Sequence, residues 1–247
     1  MSLATDLSAL RAAGAIIHRD REWWRKLVIG ATLSLTIVGY PIVEGFQLES
    51  IENTQNRFPT PLPRWNALAN KAIVGLLAVV IDVFFFFFPL LCIGLLLLCA
   101  GFAAVLAGIG GPQLGLLGFV TSGLGLGWLM LAWLSSVSPV AKWRFVADGQ
   151  LETILSSRVV RDVWRQPARN FYLRARLRSF PVYLLPLALL GTAWYSTAWS
   201  RWIALLLVWI SCAAWLYARL VVVQLYAAAT REIQQHEFEA LQARLRA

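Results

Sequence analysis

The chain reads as an all-α, polytopic helical membrane protein, and two observations carry that prediction. From Ala72 to Ala107 it runs for 36 residues with a single ionisable side chain, Asp82. A bilayer core takes about 20 apolar residues of helix, and this run would extend about 54 Å as one helix at 1.5 Å per residue. It must therefore fold back on itself or lie steeply tilted. The second observation is composition: 59% of 247 residues are hydrophobic, 14% are charged and 12 are Trp. Lipid cannot satisfy irregular backbone, so such runs fold as helices, and their continuity excludes the alternating pattern of a transmembrane barrel. The sequence predicts about six transmembrane helices, or four plus a re-entrant element, with a cytoplasmic interfacial amphipathic helix.

Taken in order, residues 1–26 form a charged leader. Leu3, Leu7, Leu10 and Ile17 fall at helical spacing and predict an amphipathic helix on the membrane surface. Trp23-Trp24-Arg25-Lys26 then reads as an interfacial anchor, with rings at headgroup depth beside snorkelling cations. No cleavable signal peptide is expected, because the apolar run beginning near Leu27 lacks a small-residue cleavage site. A single transmembrane domain is predicted over residues 27–226. Leu27–Val43 is barely long enough to span, and residues 47–66, with Pro59, Pro61 and Pro63, read as a loop.

Within the long run, Phe84 to Phe88 are consecutive, so their rings cover the whole helix circumference and some must face lipid. That bland reading outweighs a stacking site for a pigment, and no cofactor is expected. Pro89 lacks an amide hydrogen and is the natural break or kink. Gly108, Gly110, Gly111 and Pro112 predict a turn. Leu114–Leu134 is the next span, with Gly111/Gly115, Gly118/Ser122 and Gly123/Gly127 at the small-xxx-small spacing through which membrane helices approach closely. These glycines are no dinucleotide fingerprint, which needs a preceding strand in a soluble βαβ unit.

Residues 138–178 are the main polar segment, with nine Lys and Arg against three acids for a net charge of +6. After an Asp148-Gly149 turn, Leu151, Ile154, Leu155, Val159, Val163 and Trp164 trace one helical face. Arg158, Arg161 and Arg165 lie off it, so an interfacial helix is expected at about residues 150–166. These arginines, Trp164, Arg174 and Arg178 are the residues expected to meet lipid headgroups or a partner. Pro181–Ala198 and Trp202–Tyr226 are the last spans, antiparallel across a short turn, and the second continues into a polar C-terminal helix over residues 227–247.

The net charge of +9 is read as positive cytoplasmic loops rather than a nucleic-acid surface. The leader carries five Lys and Arg, the 138–178 segment nine, and the stretch from Arg219 onward four; the 44–71 loop carries three and the final turn only Arg201. That asymmetry places the leader, the basic segment and the C-terminus in the cytoplasm, and the protein in a prokaryotic inner membrane or another internal membrane. An even number of crossings must then precede residue 138. If Leu27–Val43 spans, the long run is a hairpin and six spans result; if it re-enters, the long run crosses once and four result.

Several islands resemble a known family. They are Trp24-Arg25-Lys26-Leu27-x-Ile29-Gly30, Pro41 with Gly45, Pro61-Leu62-Pro63-Arg64-Trp65, Pro139-x-Ala141-x-x-Arg144, and Gly149. In this order, across roughly residues 20–230, they are similar to the prokaryotic polytopic membrane family catalogued as domain of unknown function number four thousand and thirteen. The acidic residues that the family often places after the aromatic are replaced here by Asn66-Ala67-Leu68. The resemblance implies a multi-span fold with a cytoplasmic interfacial helix, and no activity or catalytic residue.

No catalytic constellation appears. His18 and His236 lie in terminal polar segments, away from any span where haem ligation would need them. Zinc hydrolysis and nucleophilic catalysis lack their ligand clusters and bases. Cys92, Cys99 and Cys212 lie in apolar runs without disulfide or metal spacing and read as small buried thiols. Asp82, near mid-depth, is the exception, since an isolated carboxylate there is costly unless paired or protonated. It reads as a packing residue bonded to Thr121 or Ser122, with a proton or cation relay as the rival, and no second ionisable partner is expected at its depth. Glu44 and Arg219 lie near span ends, where snorkelling suffices. The expected function is a non-enzymatic scaffold or accessory subunit of a larger membrane complex, contacting anionic lipid and other membrane subunits and no nucleic acid. The alternative is a small transporter or permease component using Asp82.

Overall fold

A computed structural model describes residues 3–87 and 133–246 and scattered positions between them. The described residues form helices and no strand, and three of the helices are long and apolar enough to cross a membrane. The expected break at Pro89, the turn at Gly108–Pro112, Cys92, and Gly111, Gly115, Gly118, Thr121 and Ser122 lie outside the described residues.

Helix α1, Leu3–His18, packs against the last helix of the fold. Ala13 and Ile17 are buried, and His18 Nε2 lies 3.3 Å from the Tyr217 hydroxyl. The inner face of the leader is thus covered by protein, and does not rest on lipid as expected.

The apolar run Leu27–Val43 does not form one helix. Helix α2, Trp23–Ser34, ends within it and α3, Gly39–Gln55, begins within it, the two packing as a hairpin. The Thr36 hydroxyl closes the tip by donating to the Leu33 carbonyl at 2.9 Å and accepting from the Gly39 amide at 2.9 Å. A Cβ on Gly39 would collide with the Leu33 carbonyl. Pro41 is tolerated because it sits in the first turn of α3, where its missing N–H has no intrahelical partner. The tip is apolar and uncovered, with Ile37 93% exposed. The ends of the hairpin lie together: Lys26, in α2, donates to the Leu62 carbonyl beyond α3 at 3.0 Å.

Residues 47–55, expected as loop, continue α3 because Gln47, Leu48, Ser50, Ile51 and Thr54 are all buried against neighbours. Tertiary packing has overridden a polar composition. Helix α4, Leu68–Asp82, runs antiparallel to α3 at unusually close range. Gly45 faces the Lys71 backbone, and Gly75 faces the Pro41 carbonyl and the Gly45 amide. Close packing is therefore mediated by Gly45, named in the sequence only for the family resemblance, and by Gly75, rather than by the glycines expected to pack helices. Of those, Gly123 and Gly127 have nothing within 4 Å of an added Cβ among the described residues.

A π-helical turn, Val83–Phe87, follows α4.

Helix α5, Val137–Asp148, starts after a left-handed Ser136 and stops at Gly149, whose φ of +69° is the glycine-favoured stop that the Asp148-Gly149 pair predicts. The expected interfacial helix is two short ones, α6 (Leu151–Ile154) and α7 (Ser157–Trp164). Ile154, Val159 and Val163 are buried while Arg158, Arg161 and Arg165 are exposed, as the periodicity predicts. Trp164, expected on the apolar stripe, is exposed beneath the Arg169 guanidinium, 5.3 Å away.

Helix α8, Ala168–Ser196, is continuous through Pro181 and Pro186, so the span expected from Pro181 begins inside a helix already under way. Helix α9, Arg201–Arg246, is one element of 46 residues, joining the last span to the C-terminal helix as expected. The pair is tied by Ser211, which donates to the Pro186 carbonyl at 2.8 Å. Of the cysteines expected to be buried, Cys99 is exposed and Cys212 half-buried, both as free thiols.

Candidate functional site

Asp82 does have an ionisable partner. Lys142 Nζ donates to Asp82 Oδ2 at 2.6 Å and to Glu44 Oε2 at 2.9 Å. Glu44 is fully buried, at 0% exposed, and accepts both Nη atoms of Arg219, Nη2 to Oε2 at 2.7 Å and Nη1 to Oε1. Ser138 completes the cluster by donating to Asp82 Oδ1 at 2.5 Å. Four helices thus meet in one polar knot: α3 through Glu44, α4 through Asp82, α5 through Ser138 and Lys142, and α9 through Arg219.

Three expectations are corrected by this geometry. Asp82 is paired with a cation at its own depth and also accepts from Ser138, one turn before Lys142, while Thr121 and Ser122 lie outside the described residues. Glu44 and Arg219 do not snorkel; they form a two-pronged carboxylate–guanidinium pair of the kind that holds its geometry in low dielectric. Lys142, counted as one charge of a solvated cytoplasmic segment, is only 4% exposed and is the hub of the cluster. The physical reason is that a buried charge must be paired, so a carboxylate at depth draws its cation in with it.

Arg176 was also counted as a solvated charge, and it too is only 4% exposed. Its Nε donates to the Trp133 carbonyl at 2.7 Å and its guanidinium lies 4.2 Å from the Trp133 ring centre. Of the other cations singled out, Arg174 is exposed and Arg178 half-buried. Lys26 is not a snorkelling anchor. It is buried and bonds Asp20 at 2.5 Å, while its carbonyl accepts the Trp65 indole N–H at 3.0 Å. Trp65 in turn stacks on Phe46, with ring centres 4.2 Å apart. Three of the islands that carry the family resemblance, around Lys26, Leu62 and Trp65, and Gly45 beside Phe46, therefore converge on one corner of the molecule.

Beside the ion-pair cluster lies a cavity of about 270 Å³, with Asp82, Ser138, Lys142, Arg176 and Arg219 in its wall. Gln47 also lines it, and Gln47 Oε1 is buried with no hydrogen-bond partner among the described residues. Trp133, Trp143, Tyr183 and Trp215 supply an aromatic lining.

The fold and the site define a helical protein of membrane type built round a buried cluster of ion pairs. The chain belongs to the family described as Protein of unknown function (DUF4013), whose model matches residues 28–194. The matched stretch holds Glu44, Asp82, Lys142 and Arg176, and ends before Arg219. No curated protein and no solved structure matches the chain.

Proposed function

We propose that this protein is a non-enzymatic, multi-pass inner-membrane protein that serves as a scaffold or accessory subunit of a larger membrane complex. The observation that carries the reading is the closed charge balance of the cluster. Glu44 and Asp82 are matched by Lys142 and Arg219, which is the arrangement of a clamp holding helices in register rather than of a vacant relay site. Broad apolar faces support membrane insertion, with Trp194, Trp199 and Trp202 all strongly exposed near the turn between α8 and α9. Aromatic rings there suit a membrane–water interface.

In this reading the α2–α3 hairpin is re-entrant. Twelve residues of α2 reach only about 18 Å, roughly half the thickness a span must cover. The long run then crosses once, the Gly-rich run returns, and α8 and α9 complete four spans. Both termini and residues 138–178 lie in the cytoplasm. Cysteines introduced at Gln150 and Gln242 should resist an impermeant thiol reagent added outside intact cells; labelling of either overturns this orientation. Purification in mild detergent should retain a stoichiometric partner through gel filtration. The carrier reading is favoured by one observation, the cavity against Asp82. An Asp82→Asn variant that assembles normally but abolishes an ion-coupled flux in proteoliposomes would replace the scaffold with a carrier.

The exposed arginines of α7 and its C-terminal end support docking on an anionic surface. Each cation near an anionic leaflet contributes about 1 kcal/mol, so Arg158, Arg161 and Arg165 together supply roughly 3 kcal/mol. Changing all three to Gln should leave insertion intact and lower hydrogen-exchange protection across residues 150–166 in anionic nanodiscs. Unchanged protection would mean that Ile154, Val159 and Val163 hold the segment by packing alone.

A further inference from the structure

We infer that the cavity beside the ion-pair cluster is a binding site for a small anion that carries a hydroxyl group and an apolar body. The charges in and behind its wall do not cancel. Lys142, Arg176 and Arg219 supply three cations, Asp82 and Glu44 two carboxylates. No acidic residue occurs in the sequence between Asp82 and Asp148, so nothing in that long apolar stretch can supply the missing negative charge. The two carboxylates are consumed by Lys142 and Arg219. Among the described residues Arg176 is left with neutral partners, the Trp133 carbonyl and ring, although it is almost wholly buried. A buried guanidinium without an anion is unfavourable, and its planar fork matches a carboxylate or phosphate.

A second, independent feature points into the same space. Gln47 is 8% exposed, and its Oε1 accepts no hydrogen bond among the described residues. A buried acceptor left unpaired costs its full desolvation, so the occupant is expected to bring a donor, such as a hydroxyl. The aromatic lining sets the third requirement. Trp133, Trp143, Tyr183 and Trp215 offer flat apolar walls, which suit a ring or an acyl chain. A volume of about 270 Å³ exceeds the 150 Å³ or so that accommodates benzene in an engineered cavity.

Anion, hydroxyl and apolar body together describe two sources: the headgroup and first carbons of a phosphatidylglycerol-like lipid, or a free hydroxylated organic acid. The three lining tryptophans provide the reporter. The intact protein is placed in phosphatidylcholine nanodiscs and titrated with 4-hydroxybenzoate while tryptophan fluorescence is followed. In parallel, native mass spectrometry of protein released from mixed phosphatidylglycerol and phosphatidylcholine nanodiscs counts retained phosphatidylglycerol. Saturable quenching identifies a free acid as a ligand, and retained phosphatidylglycerol identifies a lipid. Either response should weaken at least tenfold in Arg176→Gln. Gln47→Leu, which removes the amide without touching an ion pair, should weaken it as well and serves alone if Arg176→Gln does not fold. No saturable quenching together with no retained phosphatidylglycerol overturns the site. So does a response that the foldable variants leave unchanged, since the molecule would then be bound elsewhere.

Discussion

Glu44→Gln is expected to destabilise the protein by about 3–5 kcal/mol, the cost of removing one partner from a buried ion pair and leaving the other charged. Two cations are stranded here rather than one, because Glu44 receives both Arg219 and Lys142. Lys142 retains Asp82, so Arg219 bears most of the loss. The carboxamide keeps the shape of the side chain, which removes cavity formation as a competing explanation. Unfolding titration with a denaturing detergent measures the effect. A double variant, Glu44→Met with Arg219→Met, should recover much of the stability, since replacing both members of a buried pair by apolar residues of similar volume is often neutral or favourable. A Glu44→Gln protein as stable as the parent would show that the pair is hydrated and carries no structural weight.

The second large effect is expected at Gly75. A Cβ there would fall within contact distance of the Pro41 carbonyl and the Gly45 amide, both backbone atoms that cannot swing aside as a side-chain end could. Gly75→Ala must therefore push α3 and α4 apart along their whole contact, moving Glu44 away from Asp82 and Lys142. Overpacking of this kind costs typically 1–3 kcal/mol, and the backbone collision argues for the upper end of that range. Gly191→Ala, in α8, is the internal control. Nothing lies within 4 Å of its added Cβ, so the higher helix propensity of Ala predicts a neutral or stabilising change of up to about 1 kcal/mol. If both substitutions behave alike, the close crossing of α3 and α4 is not what holds the hairpin to the core.

Much of this architecture was legible in the residues. Long apolar runs gave the helices, the Asp148-Gly149 pair gave a helix stop, and the periodicity of residues 151–163 gave the buried and exposed faces of α6 and α7. Asp82 stood out for its depth. Its partners did not, because Glu44 and Lys142 are 98 residues apart and only the tertiary fold brings them together. A local signal was nonetheless present. Ser138, Ala141, Lys142 and Phe145 share one helical face, so Lys142 sits on a stripe that is otherwise small or apolar. Tyr172, Ala175, Arg176 and Ser179 repeat the pattern. A cation on such a stripe belongs inside, whatever the net charge of its segment. The hairpin tip was harder to read, since Leu35 to Val38 is as apolar as a span and only Thr36 and Gly39, bridged through one hydroxyl, mark the reversal. The polar stretch 47–55 misled in the opposite sense, because several of its polar side chains are buried in the helix packing, as where Gln224 donates to Thr54 at 3.0 Å.

The length of α9 has a mechanical consequence. Its 46 residues measure about 69 Å, more than twice the thickness of a bilayer core. Ala227, Ala229 and Ile233 are still buried and His236 meets the Phe171 ring, so only the last ten residues, about 15 Å, run on uncovered. Along residues 211–224, α9 is bolted to α1 at Tyr217, to α3 at Arg219 and Gln224, and to α8 at Ser211. Beyond that stretch, Phe238, Leu241 and Leu245 are uncovered. Such an element is a lever whose fulcrum is its last packed turn near Ile233: a tilt of about 10° there sweeps Leu245 through roughly 3 Å, over the length set by the helical rise.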